Sequence, residues 1–278
     1  MTPDLCVSQA IAAAKAAGLD RLDAQLLLLH ALGRKSHDRA WLLAHDTDVL
    51  PPAARTTFEA GVQRRATGEP LAYITGRKEF FGLDLQVNAG VLVPRPDTET
   101  LVEWALEVLQ PTSAGAVLDL GTGSGAIALA LKATRPDLQV SAIDYSEAAL
   151  AVALANALRL QLDVDFQQGS WLDGVQTQFH AIVSNPPYIA AQDPHLSALT
   201  HEPQQALASG DDGLDDIRHI ITQAPARLHA GGWLLLEHGY DQAAAVRGLL
   251  QEAGFSAVQS RRDLSGIERC SGGQVRPV

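Results

Sequence analysis

A chain of 278 residues that is 46% apolar and 19% charged has the make-up of a soluble globule, with a core large enough for one big domain or two modest ones. Its formal net charge of −11 argues against a main partner gripped through phosphates, which calls for a basic face, and leaves a protein or a small molecule as the expected substrate. No apolar run reaches membrane-span length, the start has no basic segment followed by a long apolar stretch, and Cys6 and Cys270 lack metal-like spacing, so a reduced, cytoplasmic setting with no membrane and no metal site is expected.

Residues 1 to 78 read as helical. Apolar residues recur at three- and four-residue spacing through Ala24, Leu27, Leu28 and Ala31, and Pro51-Pro52 separates this run from a further helix toward Arg65. A small bundle whose apolar faces form its core is the expectation. The period then changes. In FFGLDLQVNAGVLV, Leu83, Leu85 and Val87 alternate with polar positions, and Asn88-Ala89-Gly90 precedes Val91-Leu92-Val93. That pattern predicts a β-hairpin turning at 88–90, as a linker over 79–96.

From 115 onward strands and helices alternate. The predicted strands are 115–121, 139–145, 163–169, 181–185 and 233–239, and the predicted helices 126–134, 146–160, 214–229 and 241–253, with β segments after the last. This alternation predicts a parallel, doubly wound α/β sheet over 97–278.

The first strand of that region ends in Asp119, Leu120, Gly121, Thr122, Gly123, Ser124, Gly125. Glycines at that point let the backbone turn sharply into a helix and approach a ligand closely. The spacing is GxGxG, so the third glycine arrives one residue early for the GxGxxG of dinucleotide sites. No lysine accompanies the loop to serve a pyrophosphate. A cationic ligand without phosphate fits better, with Asp119 below the loop suited to its charge and Asp144, at the next strand end, able to accept from both hydroxyls of a ribose.

VLDLGTGSG followed by AIDYS resembles the S-adenosylmethionine site of class I methyltransferases. The resemblance implies a Rossmann-like sheet of seven strands and S-adenosylmethionine as cofactor. It places Asp119 and the loop Gly121, Thr122, Gly123, Ser124 and Gly125 at the cofactor, Asp144 on the ribose, and Trp171, just past the third strand, beside the adenine.

The chain also carries VSNPPYIA, in which a strand ends in Asn185-Pro186-Pro187-Tyr188. A branch of the same family with this motif methylates nitrogens of planar groups. A planar NH2 is a weak nucleophile because its lone pair is delocalised. Two acceptors on its two hydrogens hold it and favour build-up of the lone pair toward the methyl carbon. The Asn185 side-chain carbonyl and the Pro186 backbone carbonyl are the expected acceptors, and Asn185 also borders the cofactor. The two prolines fix φ and offer no competing N–H. Tyr188 offers a flat surface against the planar group. Orientation then supplies most of the rate, with no metal and no covalent enzyme intermediate.

GEPLAYITGRKEFFG (68–82) and VPRPDTE (93–99), together with NPPYI, resemble the bacterial glutamine methyltransferases that modify peptide chain release factors, and the likeness covers nearly the whole chain. It implies transfer to the side-chain amide nitrogen, N5, of the glutamine in a Gly-Gly-Gln tripeptide, by a monomer whose helical part recognises the factor and which needs no nucleic acid. A ribosomal-protein glutamine methyltransferase is the alternative, and a DNA or RNA exocyclic-amine methyltransferase is further off, since the charge is wrong for it. A binding module and a dehydrogenase fit NPPY and GxGxG less well. Asp97 is expected to cap a helix starting near Thr98. Glu202, in HEP, stands near the expected mouth of the site. The tail itself contains Gly272-Gly273-Gln274, which raises the question of self-methylation.

Overall fold

The computed structural model describes residues 5–110 and 112–276. The chain divides into two compact units, one ending at Gly76 and one beginning at Arg77.

The first unit holds helices α1 (Val7–Ala16), α2 (Arg21–Ala31), α3 (Arg39–Ala44), α4 (Pro52–Ala66) and α5 (Leu71–Thr75). Asp20 starts α2 by accepting from the Asp23 amide at 2.8 Å, and Pro52 opens α4 where a missing N–H costs nothing. The predicted stripe is the core: Ala24, Leu27 and Leu28 are buried with Val7, Ala10, Leu42 and Phe58. Each buried leucine there contributes roughly 2 kcal/mol relative to an exposed one. Gly61 of α4 lets that helix close on α2, since a Cβ would stand 3.2 Å from Leu27 Cδ2.

The second unit opens with a hairpin of β1 (Arg77–Phe80) and β2 (Leu83–Gln86). Its turn lies at Phe81-Gly82, not at 88–90. Both central residues have positive φ, 50° and 76°, as a type I′ turn requires. A phenylalanine rarely takes that conformation, so the turn carried no clear signature. Glu99 and Glu79 hold it by accepting from the Phe81 and Gly82 amides at 3.0 and 2.8 Å. Asn88 does make a tight turn, its Oδ1 accepting from the Gly90 amide at 2.8 Å, but residues 91–93 form no strand after it.

Next come α6 (Glu99–Leu109), β3 (Ala116–Leu120), α7 (Ala126–Thr134), β4 (Gln139–Asp144), α8 (Glu147–Leu160), β5 (Asp165–Gln168), β6 (Phe179–Ser184), α9 (Asp215–Gln223), β7 (Leu228–Glu237), α10 (Ala243–Glu252), β8 (Ser256–Arg262) and β9 (Glu268–Gln274). Among the described residues, seven strands pair in the order β5-β4-β3-β6-β7-β9-β8. All neighbours are parallel except β9, which runs antiparallel to β7 and β8. This is the doubly wound, mostly parallel sheet expected. Alternate residues feed opposite faces: Val117, Val183 and Leu235 join α6 and α7, whereas Leu118, Ile182 and Leu236 join α9 and α10. The helix predicted over 214–229 ends at Gln223 and tightens into a 3-10 turn over Ala224–Arg227, where Pro225 has no amide to continue the ladder.

Gly272-Gly273-Gln274 is part of β9. A Cβ on Gly272 would stand 2.6 Å from Leu235 Cδ2, and one on Gly273 2.8 Å from Phe255 Cβ. The Gln274 amide donates to the Gly231 carbonyl at 2.8 Å. The two glycines therefore serve close packing within the sheet, and the Gln274 amide is already engaged by the backbone.

Candidate active site

The chain order reverses between β3 and β6, and the carboxyl ends of β3, β4 and β6 open at that switch point. The loop after β3 is tied to β4, with the Gly121 and Thr122 amides donating to the Ile143 carbonyl at 2.8 and 3.1 Å. Its glycines have φ of 68°, 57° and 84°. They serve different ends. A Cβ on Gly121 would meet the Trp171 ring at 3.3 Å, and one on Gly125 would meet Leu129 Cδ1 at 2.9 Å, whereas Gly123 faces open space. Gly125 thus lets α7 start against its neighbours, while Gly123 leaves its backbone bare toward the cavity.

That cavity holds about 270 Å³ and is lined by Gly121, Thr122, Gly123 and Ser124, by Asp144, Tyr145 and Trp171, and by Pro94, Thr98, Asn185 and Pro187. Asp144 and Asp216 are its charged groups, and no lysine, arginine or histidine stands on its wall among the described residues. Asp144 accepts from the Gly123 amide at 2.8 Å and the Ser146 amide at 2.9 Å, and burial raises its pKa against those two bonds. Trp171 sits at φ 49°, a strained backbone for its type, and donates its indole N–H to Asp216 at 3.0 Å. Asn156, fully buried, joins the end of β2 to the glycine loop: its Nδ2 donates to the Gln86 carbonyl at 3.0 Å and the Ser124 carbonyl at 2.9 Å.

β6 ends at Ser184 and the NPPY turn follows. Asn185 Nδ2 donates to Thr98 Oγ1 at 3.3 Å, while its Oδ1 is buried with no hydrogen-bond partner among the described residues. An acceptor left bare beside a cavity is an invitation to a donor from a ligand. Behind the turn, Gln242 donates to the Tyr188 carbonyl at 2.9 Å, and a Cβ on Gly213 would stand 2.2 Å from that same carbonyl oxygen. Tyr188 packs its ring on the apolar cluster of α9 and α10, and its hydroxyl donates to Glu237 at 3.4 Å. Burial pushes Glu237 up to about 7, with the Thr98 hydroxyl the largest influence in the other direction. Asp97 caps no helix amide; it pairs with Arg269 at 3.7 Å and leaves Thr98 for the cavity. Buried Glu202 accepts from the Val93 amide at 3.1 Å and from Arg95, joining HEP to PRPDT.

The structure thus brings Gly121 to Ser124, Asp144, Trp171, Asn185 and Pro187 to one cavity. Asp119, Gly125, Pro186 and Tyr188 stand off its wall. Asp119 is fully buried and spends one oxygen on the Thr122 hydroxyl at 2.7 Å and the Ala128 amide at 3.2 Å, so it braces the loop from beneath. Burial lifts its pKa to about 7. Thr98, Asn156, Asp216 and Glu237 were not singled out from the sequence. Their partners lie far along the chain, and the sequence named Thr98 only as the start of a helix.

Among the described residues no group of His, Cys, Asp and Glu is placed to hold a metal ion, and no helix is long and apolar enough to cross a membrane. Residues 97–253 match the family model of the methyltransferase small domain, and residues 6–76 match that of the PrmC N-terminal domain. The chain is 51% identical over 262 residues to the release factor glutamine methyltransferase of Bordetella pertussis, covering 93% of this chain and 96% of that protein. It is 50% identical over 269 residues to the protein of that name from Xylella fastidiosa, covering 95% and 97%. Among solved structures it resembles a methyltransferase from Pyrococcus furiosus, with a TM-score of 0.54, 19% identity and coverage of 79% of this chain and 98% of that one. The Thermus thermophilus 16S rRNA N2 G1207 methyltransferase, solved with AdoMet and guanosine, matches with a TM-score of 0.54 and 21% identity over 72% of this chain and 50% of that one. These two likenesses speak to fold.

Proposed function

This chain belongs to the release factor glutamine methyltransferase family, and from that premise we propose that its cavity binds S-adenosylmethionine while the Asn185 turn presents the glutamine side chain of a release factor's Gly-Gly-Gln loop. The observation that carries the reading is the bare Asn185 Oδ1 beside a cavity whose charged groups are both acidic.

The residues present fit the cofactor. A sulfonium and an amino-acid ammonium suit a wall whose charges are Asp144 and Asp216. A pyrophosphate ligand would be repelled there. Asp144 keeps lone pairs free on both oxygens for ribose hydroxyls, because each already accepts one backbone N–H and can accept more. The Trp171 ring, held by Gly121 beneath and Asp216 at its edge, offers a flat face for a base. When bound, S-adenosylmethionine supplies an electrophilic methyl carbon on a positively charged sulfur.

Asn185 does the orienting. Its Oδ1 accepts one N–H of the glutamine amide, and in this reading the second acceptor is the Pro186 carbonyl, which lies between Asn185 and Pro187 of the wall although the rest of Pro186 stands off it. With both hydrogens held, the amide nitrogen keeps its lone pair toward the methyl carbon, so that an N–C bond would form as the S–C bond breaks and the sulfur leaves as a neutral thioether, with one amide hydrogen passing to solvent as a proton. Positioning of this kind accounts for most of the acceleration. Pro186 and Pro187 are buried and stiff, so the acceptors are set before substrate arrives. Tyr188 braces the turn from behind rather than facing the amide.

We further propose that the enzyme works as a cytoplasmic monomer, with residues 1–78 gripping the factor away from the tripeptide. The test is methyl transfer from labelled S-adenosylmethionine, with four acceptors side by side: intact release factor, the factor with its tripeptide glutamine changed to alanine, the candidate ribosomal protein, and unmethylated DNA. Label in the intact factor alone is expected. Label that persists in the alanine variant would move the acceptor elsewhere, and label in DNA would overturn the choice of a protein substrate.

A further inference from the structure

A carboxamide is nearly symmetric in shape but not in chemistry. Only its oxygen accepts, and a half-turn about the last side-chain bond swaps the two ends. If Asn185 is to hold an NH2 group, something must keep Oδ1 toward the cavity. Resting on the reading above, we propose that Glu237, acting through Thr98, fixes which end of the Asn185 amide faces the cavity, and so is a positioning residue for the methyl acceptor.

Three placements carry this. Asn185 Nδ2 donates to Thr98 Oγ1 at 3.3 Å, leaving Oδ1 bare. Thr98 is buried, so its hydroxyl proton must find an acceptor other than solvent. Glu237 lies where that acceptor is needed. β6 and β7 pair Ser184 with Leu236, so Asn185 and Glu237 are the next residues beyond a shared rung. Glu237 is buried, its Oε1 accepts from the Tyr188 hydroxyl at 3.4 Å, and its Oε2 has no hydrogen-bond partner among the described residues, which leaves it open to the Thr98 proton. The hydroxyls that favour its charged form are those of Thr98 and Tyr188.

An ionised carboxylate only accepts. It draws the Thr98 proton, which leaves the Thr98 oxygen free to accept from Asn185 Nδ2. A protonated carboxyl can donate to Thr98 instead. The Thr98 proton then points at Asn185, which favours the amide with Oδ1 turned inward and two N–H groups toward the cavity. That arrangement cannot accept from a glutamine NH2.

The groups around Glu237 make this a balanced switch. On β9, Arg269 favours its charge but is shared with Asp97 at 3.7 Å and Asp263 at 3.4 Å, and Cys270 sits opposite Glu237 as a thiol held protonated by burial. Asp97 opposes the charge, and Tyr188 stays a neutral donor because burial raises its pKa. With Glu237 at about 7, the switch falls in the neutral range. Because its pKa is raised, the clamp is set above that value and lost as pH falls through it.

The test measures kcat and KM on intact release factor at saturating S-adenosylmethionine, from acid to mildly alkaline pH, with cofactor affinity read separately. Wild type, Thr98→Ser, Thr98→Val and Glu237→Gln are compared. Wild-type kcat is expected to rise with pH through the neutral range. Thr98→Val should lose on the order of tenfold to a hundredfold in kcat, with cofactor affinity nearly kept, as for a small misplacement of a reacting group. Thr98→Ser should restore it, and Glu237→Gln should abolish the rise with pH. Wild-type kcat in Thr98→Val, or an unchanged rise in Glu237→Gln, overturns the proposal. If Glu237→Gln does not fold, the Thr98 pair decides alone, since valine removes the hydroxyl relay and serine keeps it. Absence of transfer by the wild type to any glutamine would sink the underlying reading instead, before any variant is compared.

Discussion

Asn185 and the loop glycines show how much hangs on single atoms. Asn185→Ala removes the bare acceptor without touching the glycine loop. Its kcat should fall on the order of a hundredfold or more, while S-adenosylmethionine affinity by calorimetry stays nearly unchanged. Equal loss of both would make Asn185 chiefly a cofactor contact. The glycines should separate the same way. Gly125→Ala places a methyl 2.9 Å from Leu129 Cδ1 at a φ of 84°, so overpacking and backbone strain together should cost about 2–4 kcal/mol in denaturant unfolding. Gly123→Ala meets nothing within 4 Å and should cost about 1 kcal/mol from its φ alone. Its methyl points into the cavity region, so cofactor affinity, not stability, should suffer. GxGxG was legible as a sharp turn into a helix, but not which glycine faces the cavity and which serves the packing of α7, because that depends on what lies opposite each missing Cβ.

At the scale of elements, the NPPY turn is held from behind by the segment that leads into α9 and by the one that leads into α10. Gly213 presses on the Tyr188 carbonyl, and Gln242 donates to that carbonyl at 2.9 Å and to the Asp212 carbonyl at 3.2 Å. Gly213→Ala forces the turn to move, because the obstacle at 2.2 Å is backbone. Its kcat should drop while its thermal midpoint falls by only a few degrees, as expected for about 1–3 kcal/mol of overpacking. A variant with normal kcat would show that the turn tolerates displacement. The strands and helices themselves were largely readable, since period two and period 3.6 report burial directly. The errors fell where a residue took an uncommon role: Phe81 at positive φ moved the hairpin turn, and Pro225 shortened α9.

The whole molecule adds a dependence on pH. Asp119 has an ordinary value of 3.8 and is lifted by burial to about 7. Between those values the folded chain holds a proton that the unfolded chain has released. This group's contribution to stability is therefore full below about 4, declines as pH rises through about 7, and is level above. Asp119→Asn should flatten that part of the thermal midpoint's pH profile, since an amide oxygen can still accept from Thr122 and Ala128; a profile parallel to wild type would mean that Asp119 is already ionised at acid pH. Recognition also belongs to this scale. A tripeptide offers little contact area, so a short Gly-Gly-Gln peptide should be methylated far less efficiently than the intact factor, as kcat/KM on both acceptors would show.

By itself the sequence determined the alternation of strands and helices, the loop that must turn with positive φ, the acid at the end of β4 and the stiff NPPY turn. Each of these is written in residues close together along the chain, where local sterics and periodicity decide. Only the tertiary structure decided that Thr98 meets Asn185 across 87 positions, that Asn156 ties β2 to the glycine loop, that Asp216 holds Trp171, and that Glu237 is buried against Tyr188 of the NPPY turn. Those roles come from burial and from which polar groups are left to pair once water is excluded, and neither exists until the strands have assembled.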